Sequence, residues 1–146
     1  MSNLDEFIDN LQVEIFEEAK QALGERGFQR WRTPKFNGRM EDPDGYAKVT
    51  GECGDTMELF FKFENNRVSN ASYSTNGCAS STVSGSFAAE LTIGKDPDEI
   101  VDITAESVLK AIGKLPEDDL HCAGLAARTV QEALSNYMSN QQKRNI

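Results

Sequence analysis

The chain has 146 residues, a length that suits one domain with its own core. Its 24 acids outweigh 15 lysines and arginines, and the net charge of -9 disfavours unassisted binding to nucleic acid or an anionic membrane while favouring a basic partner surface. No apolar run approaches the ~20 residues of a membrane helix, and the acidic start, Met1-Ser2-Asn3-Leu4-Asp5-Glu6, lacks the marks of a signal or transit peptide, so a cytoplasmic protein is expected.

Leu4, Phe7, Ile8, Leu11, Ile15, Ala19 and Leu23 recur at helical spacing until Gly24 and Gly27, which predicts an amphipathic helix over 4–23. Its apolar stripe either packs on the core or makes a swapped or dimeric contact. From Phe28 to Asp44 the turn signals Thr33-Pro34, Asn37-Gly38 and Asp42-Pro43-Asp44-Gly45 predict an irregular connector. Five basic residues in and beside it, Arg30, Arg32, Lys35, Arg39 and Lys48, read as a solvated face or a docking patch.

Tyr46 to Thr50 predicts a short strand. Met57, Leu59, Phe61 and Phe63 then alternate along a second strand, Asn65-Asn66 makes the turn, and Arg67 to Thr75 returns with Ala71 and Tyr73 on one face. The pattern turns helical from Ala79 to Ile93 and stops at Gly94. Asp96-Pro97-Asp98-Glu99 has the capping Asp, first-turn Pro and third-position Glu of a helix start. Thr104 opens another short helix that ends near Gly113. A last helix carries Leu125, Ala126, Val130, Ala133, Leu134 and Tyr137 on one face, with fraying expected over 141–146. The reading is a single α+β domain over 1–146: a small antiparallel sheet of about three strands with helices packed on one face.

The three cysteines need not pair, and in a reducing compartment thiols of this kind bind metals or react. Cys53 lies between Gly51 and Gly54 in a loop entering a strand, with Asp55 two residues on. Cys78 follows Gly77 at a strand-to-helix loop, and His121-Cys122 sits at the loop into the final helix. Helix starts present unpaired N–H groups that favour thiolate. A cysteine alone is usually a small buried hydrophobe, a lone histidine is usually structural, and Asp55 alone is a turn or cap residue. Together they predict a thiolate metal or sulfur site, with no reaction assigned: three thiolates plus His or Asp suit zinc or iron–sulfur iron.

Cys53-Gly54-Asp55, Asn76-Gly77-Cys78-Ala79-Ser80-Ser81-Thr82 and His121-Cys122-Ala123-Gly124-Leu125-Ala126 resemble the IscU-type, NifU N-terminal-like family of iron–sulfur scaffolds, from about Gly51 to Tyr137. Thr33-Pro34-Lys35-Phe36-Asn37-Gly38 is similar to a degenerate form of the family's Asn-Pro-Arg-Asn segment. The resemblance implies a SufE/NifU-like fold, with residues 45–140 as the IscU-like core and 1–27 as an N-terminal helix of unfamiliar sequence. It implies a carrier rather than an enzyme: a scaffold that accepts sulfur from a cysteine desulfurase, gathers iron, builds a 2Fe–2S cluster and passes it to apo-proteins. Cys53, Cys78 and Cys122 match the cysteine ligands, Asp55 and His121 the non-cysteine positions, and Cys122 the first persulfide acceptor. Asp55 is the chosen labile ligand, and Zn²⁺ should fill the same site when iron is absent. The family's Leu-Pro-Pro-Val-Lys chaperone segment reads Leu115-Pro116-Glu117-Asp118-Asp119 here, which argues against Hsp70 recognition. The alternatives are a zinc-bound sulfurtransferase-type persulfide acceptor and a structural zinc domain.

Overall fold

The computed structural model describes residues 3–144. α1 (Asn3–Arg32) is broken at Gly24, whose φ of 74° and ψ of 174° are not helical. Gly24 therefore ends the first segment as the spacing predicts, but Gly27 does not, and the helix resumes over 25–32. The missing Gly27 side chain serves packing, since a Cβ there would lie 3.1 Å from Leu23 Cβ and 3.5 Å from Ile112 Cγ2. The connector thus begins near Thr33 instead of Phe28.

The chain doubles back at Gly24. Phe16 meets the Phe28 ring at 6.2 Å between centroids and the Arg32 guanidinium at 4.4 Å, whereas twelve residues of straight helix would separate the two rings by roughly 18 Å. The segment before Phe16 projects past this fold-back. Leu4, Phe7, Ile8, Leu11 and Ile15 are exposed, so this part of the apolar stripe does not pack on the core, whereas Leu23 at its end does. In α1 the buried residues are Leu23, Gly27 and Phe28.

The sheet contains β1 (Gly45–Thr50), β2 (Thr56–Glu64) and β3 (Arg67–Thr75), antiparallel throughout and in that order. Asn65 and Asn66, with φ of 55° and 62°, make the left-handed two-residue turn between β2 and β3. Register places Val49 opposite Met57, Ala47 opposite Leu59, Leu59 opposite Tyr73 and Phe61 opposite Ala71. These side chains form one buried face. On the other face Phe60 is covered by Tyr46 and by Arg39, whose guanidinium lies 5.3 Å from its ring.

The helices follow as α2 (Ala79–Thr92), α3 (Pro97–Ile100), α4 (Ala105–Ile112), a 3-10 turn (Glu117–Asp119) and α5 (Leu120–Arg144). Asp96 and Glu99 close the predicted capping box, Thr104 caps α4, and Gly113 ends it with φ of 96°. α5 lays Leu125, Ala126, Val130, Ala133, Leu134 and Tyr137 into the core. It is helical to Arg144, and residues 145–146 lie outside the described set. α2 is lined by Ser, Gly and Ala, which bring its backbone close to the sheet.

Three of the five basic residues in and beside the connector are engaged within the chain. Arg30 stacks on Phe87 and pairs with Glu90, Arg32 lies on Phe16, and Arg39 pairs with Glu58. Among the described residues no helix is long and apolar enough to cross a membrane.

Candidate metal centre

Three connections at one rim of the sheet carry the candidate residues. The β1–β2 loop is closed by Gly51 N–H to Asp55 O (2.8 Å) and Gly54 N–H to Gly51 O (3.0 Å), with Gly54 at a φ of 87°. This tight turn presents Cys53 and Asp55. The β3–α2 loop is pinned to β2: the Thr56 N–H donates to Asn76 Oδ1 (2.8 Å), and the Thr75 hydroxyl donates to Thr56 O (2.7 Å). Cys78 then stands at the N-cap of α2. The third connection differs from expectation. Helix α5 starts at Leu120, so His121 and Cys122 occupy its first turn and not the preceding loop. The 3-10 turn before it is tied to α2 by the Ser80 hydroxyl, which donates to Asp119 (2.8 Å).

The five candidate ligands meet in two overlapping groups. Ligand atoms of Cys53, Asp55 and His121 lie within 4.8 Å of one another, as do those of Asp55, Cys78 and Cys122. Asp55 belongs to both groups and sits at the junction. Cys53 Sγ is 2.9 Å from His121 Nε2, and Cys122 Sγ is 3.7 Å from the same nitrogen. Sequence separations of 25 and 44 residues between the cysteines are thereby reduced to neighbouring side chains.

Cys53 and Cys78 are exposed, while Cys122 is 1% exposed. Burial pushes the Cys122 thiol up to about 11, with the nearby Cys78, Asp119 and Asp55 adding to the rise and the Ser81 hydroxyl opposing it. Burial thus acts against the thiolate that a helix-start position favours. A coordinated cation acts in the opposite sense and holds a thiolate directly. Alkylation of the native protein is therefore expected to modify Cys53 and Cys78 quickly and Cys122 only after unfolding. Peptide mass mapping over time checks this, and equal rates at all three would contradict the enclosure.

Ser81 is a site residue the sequence reading missed. Its hydroxyl donates to Asp55 Oδ2 at 3.1 Å and lies 3.4 Å from Cys122 Sγ. The signal was its place three residues after Cys78, one helical turn along the same face. Gly77, which precedes Cys78 in the strand-to-helix loop, leaves room for Ser81 and Asp55. A Cβ there would stand 2.5 Å from Ser81 Oγ and 2.9 Å from Asp55 Oδ2.

A cavity of about 590 Å³ opens beside Cys53 and His121, bounded by Gly51, Glu52, Gly124, Leu125 and Arg128. A larger one of about 800 Å³ lies between α1 and the end of α4 and is lined by none of the cysteines. Of the two, the smaller is the one lined by candidate ligands, Cys53 and His121.

Three soft sulfurs, an imidazole and a carboxylate on the rim of a three-stranded α+β sheet are a donor set whose chemistry suits a thiophilic metal. Residues 24–144 match the family described as NifU-like N terminal domain. The chain is 35% identical over 111 residues to iron-sulfur cluster assembly scaffold protein IscU 1 of Archaeoglobus fulgidus, covering 75% of this chain and 72% of that protein. It is 27% identical over 120 residues to iron-sulfur cluster assembly scaffold protein IscU of Aquifex aeolicus, covering 80% and 76%. A nitrogen-fixing NifU-like protein (N-terminal) from Brucella abortus shares the fold, with a TM-score of 0.66 at 17% identity over 83% of this chain and 97% of that one. The chain belongs to the family of NifU-like N-terminal domains.

Proposed function

We propose that this protein is a scaffold on which an iron–sulfur cluster is assembled and from which it is handed to apo-proteins. The convergence of Cys53, Cys78, Cys122, Asp55 and His121 at one rim carries the reading. The relatives' names, which describe iron–sulfur cluster assembly scaffolds, support it. The cluster is cargo, so the protein acts as a carrier and not as a turnover enzyme.

The ligand chemistry fits transient holding. Three thiolates bind iron strongly, and a 2Fe–2S cluster needs a fourth donor. Asp55 and His121 are both within reach of the sulfurs. A carboxylate is the harder and weaker partner for sulfur-bound iron, so Asp55 is assigned as the labile ligand. The same donor set accepts tetrahedral Zn²⁺.

Sulfur arrives from a cysteine desulfurase. An acceptor thiolate attacks the terminal sulfur of the donor's persulfide; the new S–S bond forms on the scaffold, and the donor leaves as a thiolate. Cys122 is assigned as acceptor, which requires the docked desulfurase to open the contact with Ser81 that encloses it. The acidic Glu117-Asp118-Asp119 turn supports a partner set of desulfurase and apo-protein acceptors without a dedicated Hsp70-type chaperone.

The test is anaerobic reconstitution with iron, cysteine and a desulfurase. The wild type should develop sulfide-to-iron charge-transfer absorbance that Cys53→Ser, Cys78→Ser and Cys122→Ser each lose. A colourless, zinc-bearing protein that still speeds the desulfurase would select the sulfurtransferase reading instead. A further expectation concerns release. Asp55→Ala should hold its cluster longer and transfer it more slowly to an apo-ferredoxin, followed by circular dichroism; equal lifetimes would remove the labile-ligand role.

A further inference from the structure

In the arm before Phe16 every residue from 3 to 15 is exposed. Leu4 is 65% and Phe7 63% exposed, with Ile8, Leu11 and Ile15 also open to solvent. A helix of that length without packing is marginal in water, and a contiguous apolar stripe on a surface marks an interaction. The family match begins at residue 24, so the arm is an addition to the shared domain.

The stripe has a coiled-coil register. With Ile8 and Ile15 at positions a, Leu4 and Leu11 fall at d. Ile at a with Leu at d is the combination that favours two strands. In a parallel pair the flanking g and e positions put Phe7 opposite Gln12 and Glu14 opposite Ala19 of the second copy, so no acid faces an acid there. Glu6, Asp9 and Glu17 fall on the outer f, b and c positions. The seam ends at Glu18, the next d position, just past Phe16 where the arm packs on its own chain through Phe28 and Arg32.

We propose that residues 4–15 pair with the same stripe of a second copy, making a two-stranded coil that joins two scaffold domains. The contact is short, so the dimer is weak and concentration-dependent. The acids outside the seam repel one another, and added salt strengthens the pair by screening them. The ligand site lies on α2, α5 and the sheet rim, not on the arm, so pairing and metal loading are independent.

Sedimentation velocity of the full chain tests this. The wild type should be dimeric at about 100 μM and monomeric at about 1 μM, the range in which small interfaces dissociate, with the midpoint moving to lower concentration in high salt. Leu11→Asp, and separately Ile8→Asp, should be monomeric throughout while binding as much iron as the wild type on reconstitution. A wild type that stays monomeric at 100 μM, or a dimer that survives both substitutions, overturns the proposal. So does a monomer whose arm variants lose binding to a desulfurase, which would assign the stripe to that partner. A colourless protein that still dimerises through the arm would leave this inference standing and remove the scaffold function.

Discussion

Gly77→Ala is expected to reproduce the slowed cluster release of Asp55→Ala although all five candidate ligands stay in place. The new Cβ would lie 2.5 Å from Ser81 Oγ, 2.7 Å from Ser81 Cβ and 2.9 Å from Asp55 Oδ2. Contacts that short do not persist, so one neighbour must move. Ser81 is fully buried within α2 and packed on the core. Asp55 sits on a glycine-flanked turn and is the easier group to displace. Its displacement breaks the Ser81 bond and takes away the one ligand common to both groups. Iron should still load on anaerobic reconstitution, and the cluster should be held longer and passed more slowly to an apo-ferredoxin, as in Asp55→Ala. The strain should also cost about 1–3 kcal/mol in urea unfolding. A cluster lifetime equal to that of the wild type would show that the turn can relax and that Gly77 is dispensable.

Gly85→Ala should destabilise the fold, against the usual effect of removing a helical glycine. In a helix interior that exchange gains roughly 0.5–1 kcal/mol from backbone entropy. Here the added Cβ would stand 2.6 Å from Tyr73 Cδ2 and 3.0 Å from its Cγ. Tyr73 is wholly buried, and its strand is bonded on both sides: to β2, and to Phe36 and Gly38 through its own N–H and C=O. The ring has nowhere to go, so an overpacking cost of about 1–3 kcal/mol outweighs the entropic gain. Gly124→Ala is the matched control. It is also helical, but nothing lies within 4 Å of its added Cβ, so the entropic gain stands alone. Urea midpoints should move down for the first variant and up for the second at constant m-value. A rise for both would mean that α2 can lift off β3.

Local chemistry carried much of the architecture. The alternation of Met57, Leu59 and Phe61, the Asn65-Asn66 turn and the Asp96 capping box each act over a few residues, and the sequence alone therefore determined them. The three thiol motifs were legible for the same reason, because short segments set the turns that present them. What only tertiary packing decided was burial and partnership. Periodicity identifies the apolar side of a helix but not whether anything covers it, so the stripe of α1 was visible while its exposure was not. A glycine can end a helix or admit a neighbour, and it took the approach of Ile112 to make Gly27 the second kind. Cys122 shows the distinction most clearly. Its sequence position suggests a helix start and a thiolate, but α2 closes over it, and the loss of water raises its thiol to about 11. Ser81 joins Asp55 to Cys122 across three elements. Contacts between residues far apart in the chain exist only once the sheet and helices have brought them together.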